Sequence, residues 1–226
     1  MLSGMNHDVG PRAGTAAAWI DAVTQMGGDI AVATASSEDL VGRYSEPHRR
    51  YHGLRHVASV LSLAGELAAD LGLSGEQVAV LALAACAHDV VYDAQPGQDE
   101  RASADWARDH LERAGLGADL RERVADLVLL TLKHDVGEDD AVGAVLLDAD
   151  LAILGAPLDV YDRYALAVRE EFAGVPDDLW RLGRAHVLEG LLSKPRLFVT
   201  DAGHERWESA ARANLDRELT ALTDHR

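Results

Sequence analysis

The stretch Val78-Ala79-Val80-Leu81-Ala82-Leu83-Ala84-Ala85-Cys86-Ala87-His88-Asp89-Val90-Val91-Tyr92-Asp93 decides how the rest of the chain is read. From Val78 to Ala87 every residue is apolar, so a helix here has no polar face and belongs in the middle of a core. Ser74 and Gln77 make the S-x-x-Q pattern of a capping box and set the helix start. At its other end the run delivers adjacent His88 and Asp89 into the interior. Unpaired buried polar and charged groups are costly, and a metal ion would satisfy both at once.

Outward from this helix the pattern stays helical. Downstream, Asp93 to Gln98 holds Pro96 and Gly97 and reads as a loop. Asp99-Glu100 open a helix through Ala114, closed by Gly115. Leu120, Val124, Leu127, Val128 and Thr131 mark another that ends near Lys133-His134-Asp135. Ala141 to Leu154 is stopped by Gly155, and Pro157 suits the first turn of a helix carrying Tyr161, Tyr164, Val168 and Phe172. Pro176 to Leu192 and Arg206 to Leu222 follow, with Arg196 to Thr200 a weak strand-like stretch between them. Upstream, Val57, Val60, Leu61, Ala64, Leu67, Ala68 and Leu71 form one stripe with His56 in its first turn. Trp19, Ile20, Val23 and Met26 form a first helix, and Ser37 before Glu38-Asp39 predicts the N-cap of a short second one. Residues 1–14 read as a flexible lead-in and 15–226 as one domain. With no convincing period-2 alternation, the chain is expected to be all-α, a single globular bundle of about nine or ten helices.

Composition narrows the function. A formal charge of −17 over 226 residues argues against binding a nucleic acid polymer, which needs a clustered basic face. It leaves room for a small anionic substrate in a cleft where a metal and a few arginines dominate the field. No apolar run reaches the 18 or so residues a membrane span needs, and no basic segment followed by an apolar one marks a secretory signal. The lone Cys86 sits inside the apolar run as a small buried residue, not a nucleophile. The expectation is a cytoplasmic protein with no membrane partner, free to form a homo-oligomer.

Four candidates for chemistry lie on separate helical segments: His56, the His88-Asp89 pair, His134 and Asp150. Leu147, Asp150, Leu151 and Leu154 share one helical face, whereas Asp148 is rotated about 200° from Asp150 at the helical step of roughly 100° per residue. Asp150 is therefore expected to be the more deeply buried of the two. Imidazoles and carboxylates without a thiolate form a shell for Mn, Co, Fe, Ni or Zn with positions left open, unlike a closed structural zinc site.

The order His, His-Asp, Asp resembles the HD-domain superfamily of metal-dependent phosphohydrolases. Further stretches are similar to its small bacterial branch: Glu46-Pro47-His48-Arg49-Arg50-Tyr51-His52 leading to His56, His88-Asp89-Val90-Val91-Tyr92-Asp93, Asp148-Ala149-Asp150-Leu151, Tyr161 with Arg169-Glu170-Glu171, and Ala211-Arg212 with Asn214-Leu215. The resemblance covers about residues 15 to 222. It implies that His56, His88, Asp89 and Asp150 hold one divalent transition metal and that the substrate is a small phosphate ester, a nucleoside monophosphate above all. In that scheme Arg49, Arg50, Arg55, Lys133 and Arg169 are candidates for neutralising phosphoryl charge. Asp93 or Glu100 would orient or deprotonate the attacking water, and His52 and His134 would stand beside the substrate. Relatives with two metals place two more histidines in the interval that here holds His110 and His134. If both bound metal, a di-iron oxygenase similar to inositol oxygenase would follow. His110 lies among Asp105, Arg108, Asp109, Glu112 and Arg113, however, as on a solvated face. A non-catalytic nucleotide-binding helical module is the third reading.

Overall fold

The computed structural model describes residues 10–137 and 139–224. Among them the secondary structure is entirely helical: α1 Pro11–Gln25, α2 Ile30–Arg43, α3 Leu54–Asp70, α4 Gly75–Ala87, α5 Asp99–Arg113, α6 Ala118–Leu130, α7 Ala141–Leu151, α8 Leu158–Glu171, α9 Asp177–Leu192 and α10 Asp201–Thr223, with a 3-10 turn at Ala152–Gly155. The all-α class follows directly.

α4 is the hub. Its start is fixed by the capping box, Gln77 N to Ser74 Oγ at 3.2 Å and Ser74 N to Gln77 Oε1 at 2.9 Å. Leu81, Leu83, Ala84, Ala85, Cys86 and Ala87 are all buried, and α1, α3, α6 and α7 pack around them. A small-residue helix lets its neighbours approach closely on every side, which is why five of the consecutive residues before His88 need be no larger than Cys or Leu. Trp19 of α1 fills the far side of this core and donates its indole N–H to Ser36 Oγ at 2.8 Å. A second core of Leu154, Tyr161, Leu188, Leu197, Phe198, Ala211 and Leu215 joins the 3-10 turn, α8, α9 and α10, and Trp207 touches both.

The boundaries differ from expectation at several points, each for a local reason. Of the expected lead-in, residues 1–9 lie outside the described residues, but 11–14 are already helical, with Pro11 in the first turn where its missing N–H is harmless. α2 starts at Ile30, capped by Asp29 Oδ1 on Ala31 N (2.7 Å) and Val32 N (3.1 Å). Ser37 is inside that helix, its hydroxyl turned back onto Thr34 O at 2.7 Å. α10 begins at Asp201 rather than Arg206 because Thr200 caps it through Gly203 N. Residues 196–200 are irregular chain, not strand.

Candidate metal centre

The site forms where three helices end or begin. α3 starts just after Gly53, putting His56 in its first turn, while α4 ends at Ala87 with His88 as its C-cap and Asp150 is the next-to-last residue of α7. The chain entering α3 is fastened to the corner after α4 by Arg49. Its buried guanidinium donates to His52 O (3.0 Å), Asp89 O (2.6 Å) and Val90 O (2.9 Å), pairs with Glu46 at 3.0 Å, and lies over the rings of Tyr44 and Tyr92. Tyr44 secures the same corner, donating to Cys86 O at 3.0 Å and accepting from Asp89 N at 3.2 Å.

Four side chains converge here. His56 Nε2 is 3.1 Å from His88 Nε2, 3.1 Å from Asp150 Oδ1 and 3.5 Å from Asp89 Oδ2. His88 Nε2 is 3.1 Å from Asp89 Oδ2 and 3.5 Å from Asp150 Oδ1. The His88 Nδ1 sits 2.8 Å from Ala85 O, a group that only accepts, so Nδ1 carries the proton and Nε2 offers a lone pair to the cluster. Ligand atoms about 2.1 Å from one ion stand roughly 3.0–3.4 Å apart around a tetrahedral or octahedral shell, the spacing found here. His56, His88 and Asp150 have ligand atoms all within 4.8 Å of one another, with Asp89 closing the set. The residues present therefore fit a divalent transition metal.

The electrostatics agree. Burial opposes charge on both imidazoles, but the hydrogen bonds and charges of Asp89 and Asp150 outweigh it, so His56 and His88 are shifted upward. Burial likewise works against the two carboxylates, yet the neighbouring imidazoles hold both well below the usual range. The cluster keeps its two negative charges and draws positive charge inward, by proton or by metal.

His134 meets this centre from the turn after α6. Its Nε2 is 3.3 Å from Asp150 Oδ2, so Asp150 faces His56 and His88 with one oxygen and His134 with the other. His134 has φ +47°, a left-handed backbone that β-carbon-bearing residues seldom adopt, and Lys194 Nζ holds its carbonyl. His52 is fixed by Glu171, whose Oε2 lies 2.6 Å from its Nδ1, and it stacks on Tyr92 with ring centroids 4.2 Å apart.

Two hollows open on either side of Asp150. The larger, about 610 Å³, has apolar walls ending at Trp207 and carries Arg50, Arg55 and Arg163. The smaller, about 190 Å³, is lined by Tyr51, His52, His134, Asp150, Tyr164 and Arg184 among others. Arg50 and Arg55 thus line the larger hollow. Arg49 does not: its donors are taken by backbone carbonyls, which gives it an anchoring role in place of a phosphate contact. Arg169 is also elsewhere, closing the α8–α9 turn through Phe172 O (2.6 Å), Val175 O (3.2 Å) and Asp177 (2.6 Å). Lys133 is exposed and lines neither hollow. Asp93 is exposed, with its backbone N–H on Asp99, and Glu100 accepts from Gly97 N, so both shape the 93–99 loop instead of facing the cluster.

Asp148 corrects another expectation, being 1% exposed and more deeply buried than Asp150. The helical face pointing away from α7's first neighbours is covered by the start of α10, and Asp148 accepts from Val199 N (2.6 Å), Thr200 N (2.8 Å) and Thr200 Oγ1 (2.6 Å) there. His110 lies on α5 against the Trp106 ring and 3.7 Å from Asp39 of α2, away from the cluster. Sequence reasoning passed over Tyr51, Glu171, Arg184 and Glu218. Of these, Tyr51 and Glu171 carried a signal, Tyr51 within the Glu46–His52 stretch and Glu171 as the last acid of Arg169-Glu170-Glu171.

Comparison with known families finds that the model of the HD domain matches residues 53–166, from the residue before α3 to the middle of α8. No curated protein matches the chain.

Proposed function

The chain belongs to the HD-domain family, whose members are generally metal-dependent hydrolases, and from that premise we propose that it hydrolyses a small phosphate monoester, a nucleoside monophosphate above all. One observation carries the reading: two imidazoles and two carboxylates with metal-ligand spacing lie at the edge of a hollow carrying three arginines, in a protein of net charge −17. His56, His88, Asp89 and Asp150 would hold one Mn, Co, Fe, Ni or Zn ion. When bound, such an ion supplies Lewis acidity and a water acidic enough to ionise near neutral pH.

The chain's own residues do the rest. Arg50 and Arg55, at the larger hollow, would steer an anionic substrate toward the cluster. His134 holds Asp150 by its second oxygen, so the carboxylate cannot rotate away from the histidines. Tyr51 is half-buried at the wall of both hollows, and desolvation together with nearby acids raises its pKa well above the ordinary range, so its hydroxyl stays protonated as a donor. A hollow of about 610 Å³ falls within the ~300–1,000 Å³ of small-molecule sites, which suits a nucleoside-sized body. The protein would act in the cytoplasm on free substrates, without a membrane partner.

Among the described residues no single helix is long and apolar enough to cross a membrane. The di-iron alternative needs His110, which packs on Trp106 instead, so no observation favours it. The test is a screen of p-nitrophenyl phosphate, nucleoside monophosphates and sugar phosphates against protein loaded in turn with each of the five metals. Release of inorganic phosphate with at least one metal is expected. No release from any ester, with the metal bound stoichiometrically, would overturn the reading.

A further inference from the structure

Arg184 is a buried cation that the metal cluster does not use. It lies on α9, outside the stretch matched by the HD domain, and is 8% exposed. Glu218 of α10 grips it from one side, with Nε to Oε1 at 2.8 Å and Nη2 to Oε2 at 3.0 Å, while Tyr164 Oη stands 3.4 Å from Nη2. Tyr161 also donates to Glu218, so the carboxylate is itself held. This leaves Nη1, with two N–H donors, without a partner among the described residues.

A guanidinium that served only to join α9 to α10 would need no wall of the metal site. Arg184 lines the same small hollow as Asp150, His134, His52 and Tyr51. That hollow, about 190 Å³, has the volume of about six waters at ~30 Å³ each, room for one tetrahedral oxyanion and little more. It shares Tyr51, Asp150, Ile153 and Tyr164 with the larger hollow, so the two adjoin at these residues. A planar, pre-oriented fork with free donors is the group that best matches phosphate oxygens.

We propose that Arg184 binds the phosphoryl group of the substrate in the small hollow beside Asp150, with Glu218 fixing the plane of the guanidinium and the organic part of the ester lying in the larger hollow. The proposal rests on the reading of the centre as a phosphate-ester site. It gives α9 and α10 a part in recognition: the matched segment supplies the metal ligands, and the helices beyond it supply the anion clamp.

The test is binding of inorganic phosphate to the Mn²⁺-loaded full chain by calorimetry, for wild type, Arg184→Gln and Arg184→Lys, with Mn²⁺ affinity measured separately. Arg184→Gln should weaken phosphate at least tenfold while leaving Mn²⁺ affinity within twofold of wild type, and Arg184→Lys should recover part of the loss. If Arg184→Gln does not fold, because Glu218 is left buried and unpaired, the charge-free double variant Arg184→Met/Glu218→Leu takes its place with the same expected loss. Phosphate affinity within twofold of wild type in these variants, or no phosphate binding by the metal-loaded wild type, overturns the proposal. Phosphate bound through Arg184 in a protein that hydrolyses no ester would sink the hydrolase reading alone. Turnover with unchanged phosphate affinity in the variants would do the reverse.

Discussion

Glu171 offers the sharpest test of how the site is held. It is the last residue of α8, its side chain is 1% exposed, and it ties down a segment about 120 residues earlier in the chain. Oε1 accepts from the backbone N–H groups of Arg50 (2.7 Å), Tyr51 (2.7 Å) and His52 (2.9 Å), and Oε2 faces His52 Nδ1 (2.6 Å) and Tyr92 Oη (3.1 Å). Burial alone would raise its pKa, but the His52 ring and these N–H groups outweigh it and bring the carboxyl from 4.5 to about 2. Such a difference is worth at most about 3 kcal/mol at neutral pH, and screening through the partly exposed His52 ring trims it to about 2 kcal/mol. Because the folded value lies below the unfolded one, the stabilisation is complete above pH 4.5 and fades as pH falls toward 2. Glu171→Gln, which keeps the volume and removes the charge, should therefore lower stability by about 2 kcal/mol at pH 7 and by about 1 kcal/mol or less at pH 3. Urea unfolding of both proteins across that range measures the gap. A gap that stays constant or widens toward pH 3 would refute the charge-based account of how the Arg50–His52 segment is pinned.

Other expectations follow from single contacts. Asp89→Ala and His88→Ala should each lose bound metal, read by elemental analysis, together with any phosphatase activity; full occupancy in both would remove them from the ligand set. At Gly155 a Cβ would stand 2.6 Å from the Trp207 Cβ and 2.9 Å from its backbone, so Gly155→Ala should cost about 1–3 kcal/mol in denaturant unfolding by forcing α10 outward. Asp148→Ala leaves the buried Thr200 N–H and hydroxyl and the part-buried Val199 N–H without their acceptor and should cost about 3 kcal/mol, seen as a large fall in melting temperature. Cys86 is wholly buried and its thiol is pushed up to about 12, so a thiol reagent at pH 8 should label native protein negligibly and one thiol per chain in denaturant.

What was legible in the sequence was whatever a single helix declares by itself. The unbroken apolar run of α4, the Ser74–Gln77 capping box and Gly115 after α5 each state a local rule, and the structure follows it. The His88–Asp89 pair was visible because polarity at the end of such a run is costly unless partnered. Burial set by a distant segment was not legible. On the helical wheel Asp148 points away from Asp150's face, and only the docking of Val199 and Thr200 makes it the deeper of the two. Arg49 and Arg169 look like free cations in sequence because the carbonyls that take their donors carry no side-chain signature. Arg184 and Glu218, 34 positions apart, have meaning only once α9 and α10 lie side by side. Ser37 failed for a related reason: serine serves a cap and a back-bonded helical turn equally well, and Asp29 three places after Met26 was the better cap.

The placement of the clustered side chains at helix ends has an energetic consequence of its own. His88 caps the C-terminus of α4 and Asp150 sits in the last turn of α7, so the partial negative charge of two helix termini is directed at the cluster. Each such terminus favours a nearby cation by roughly 0.3–1 kcal/mol, more where water is excluded, and adds to the two carboxylates without adding a titratable group. The apolar bodies of the same helices keep water from the opposite side, so the field is not screened from within the core. Where α7 ends, the chain tightens into the 3-10 turn, and Asn214 of α10 takes up the carbonyls of Leu154 and Ala156 at 2.8 and 2.9 Å. Asp150 is thus held between the first core, which carries the histidines, and the second, which carries Arg184. Asn214→Ala, which releases the Leu154 and Ala156 carbonyls, should therefore weaken metal binding by calorimetry although Asn214 lies outside the cluster, and a change confined to the outer face of α5, near His110, should not.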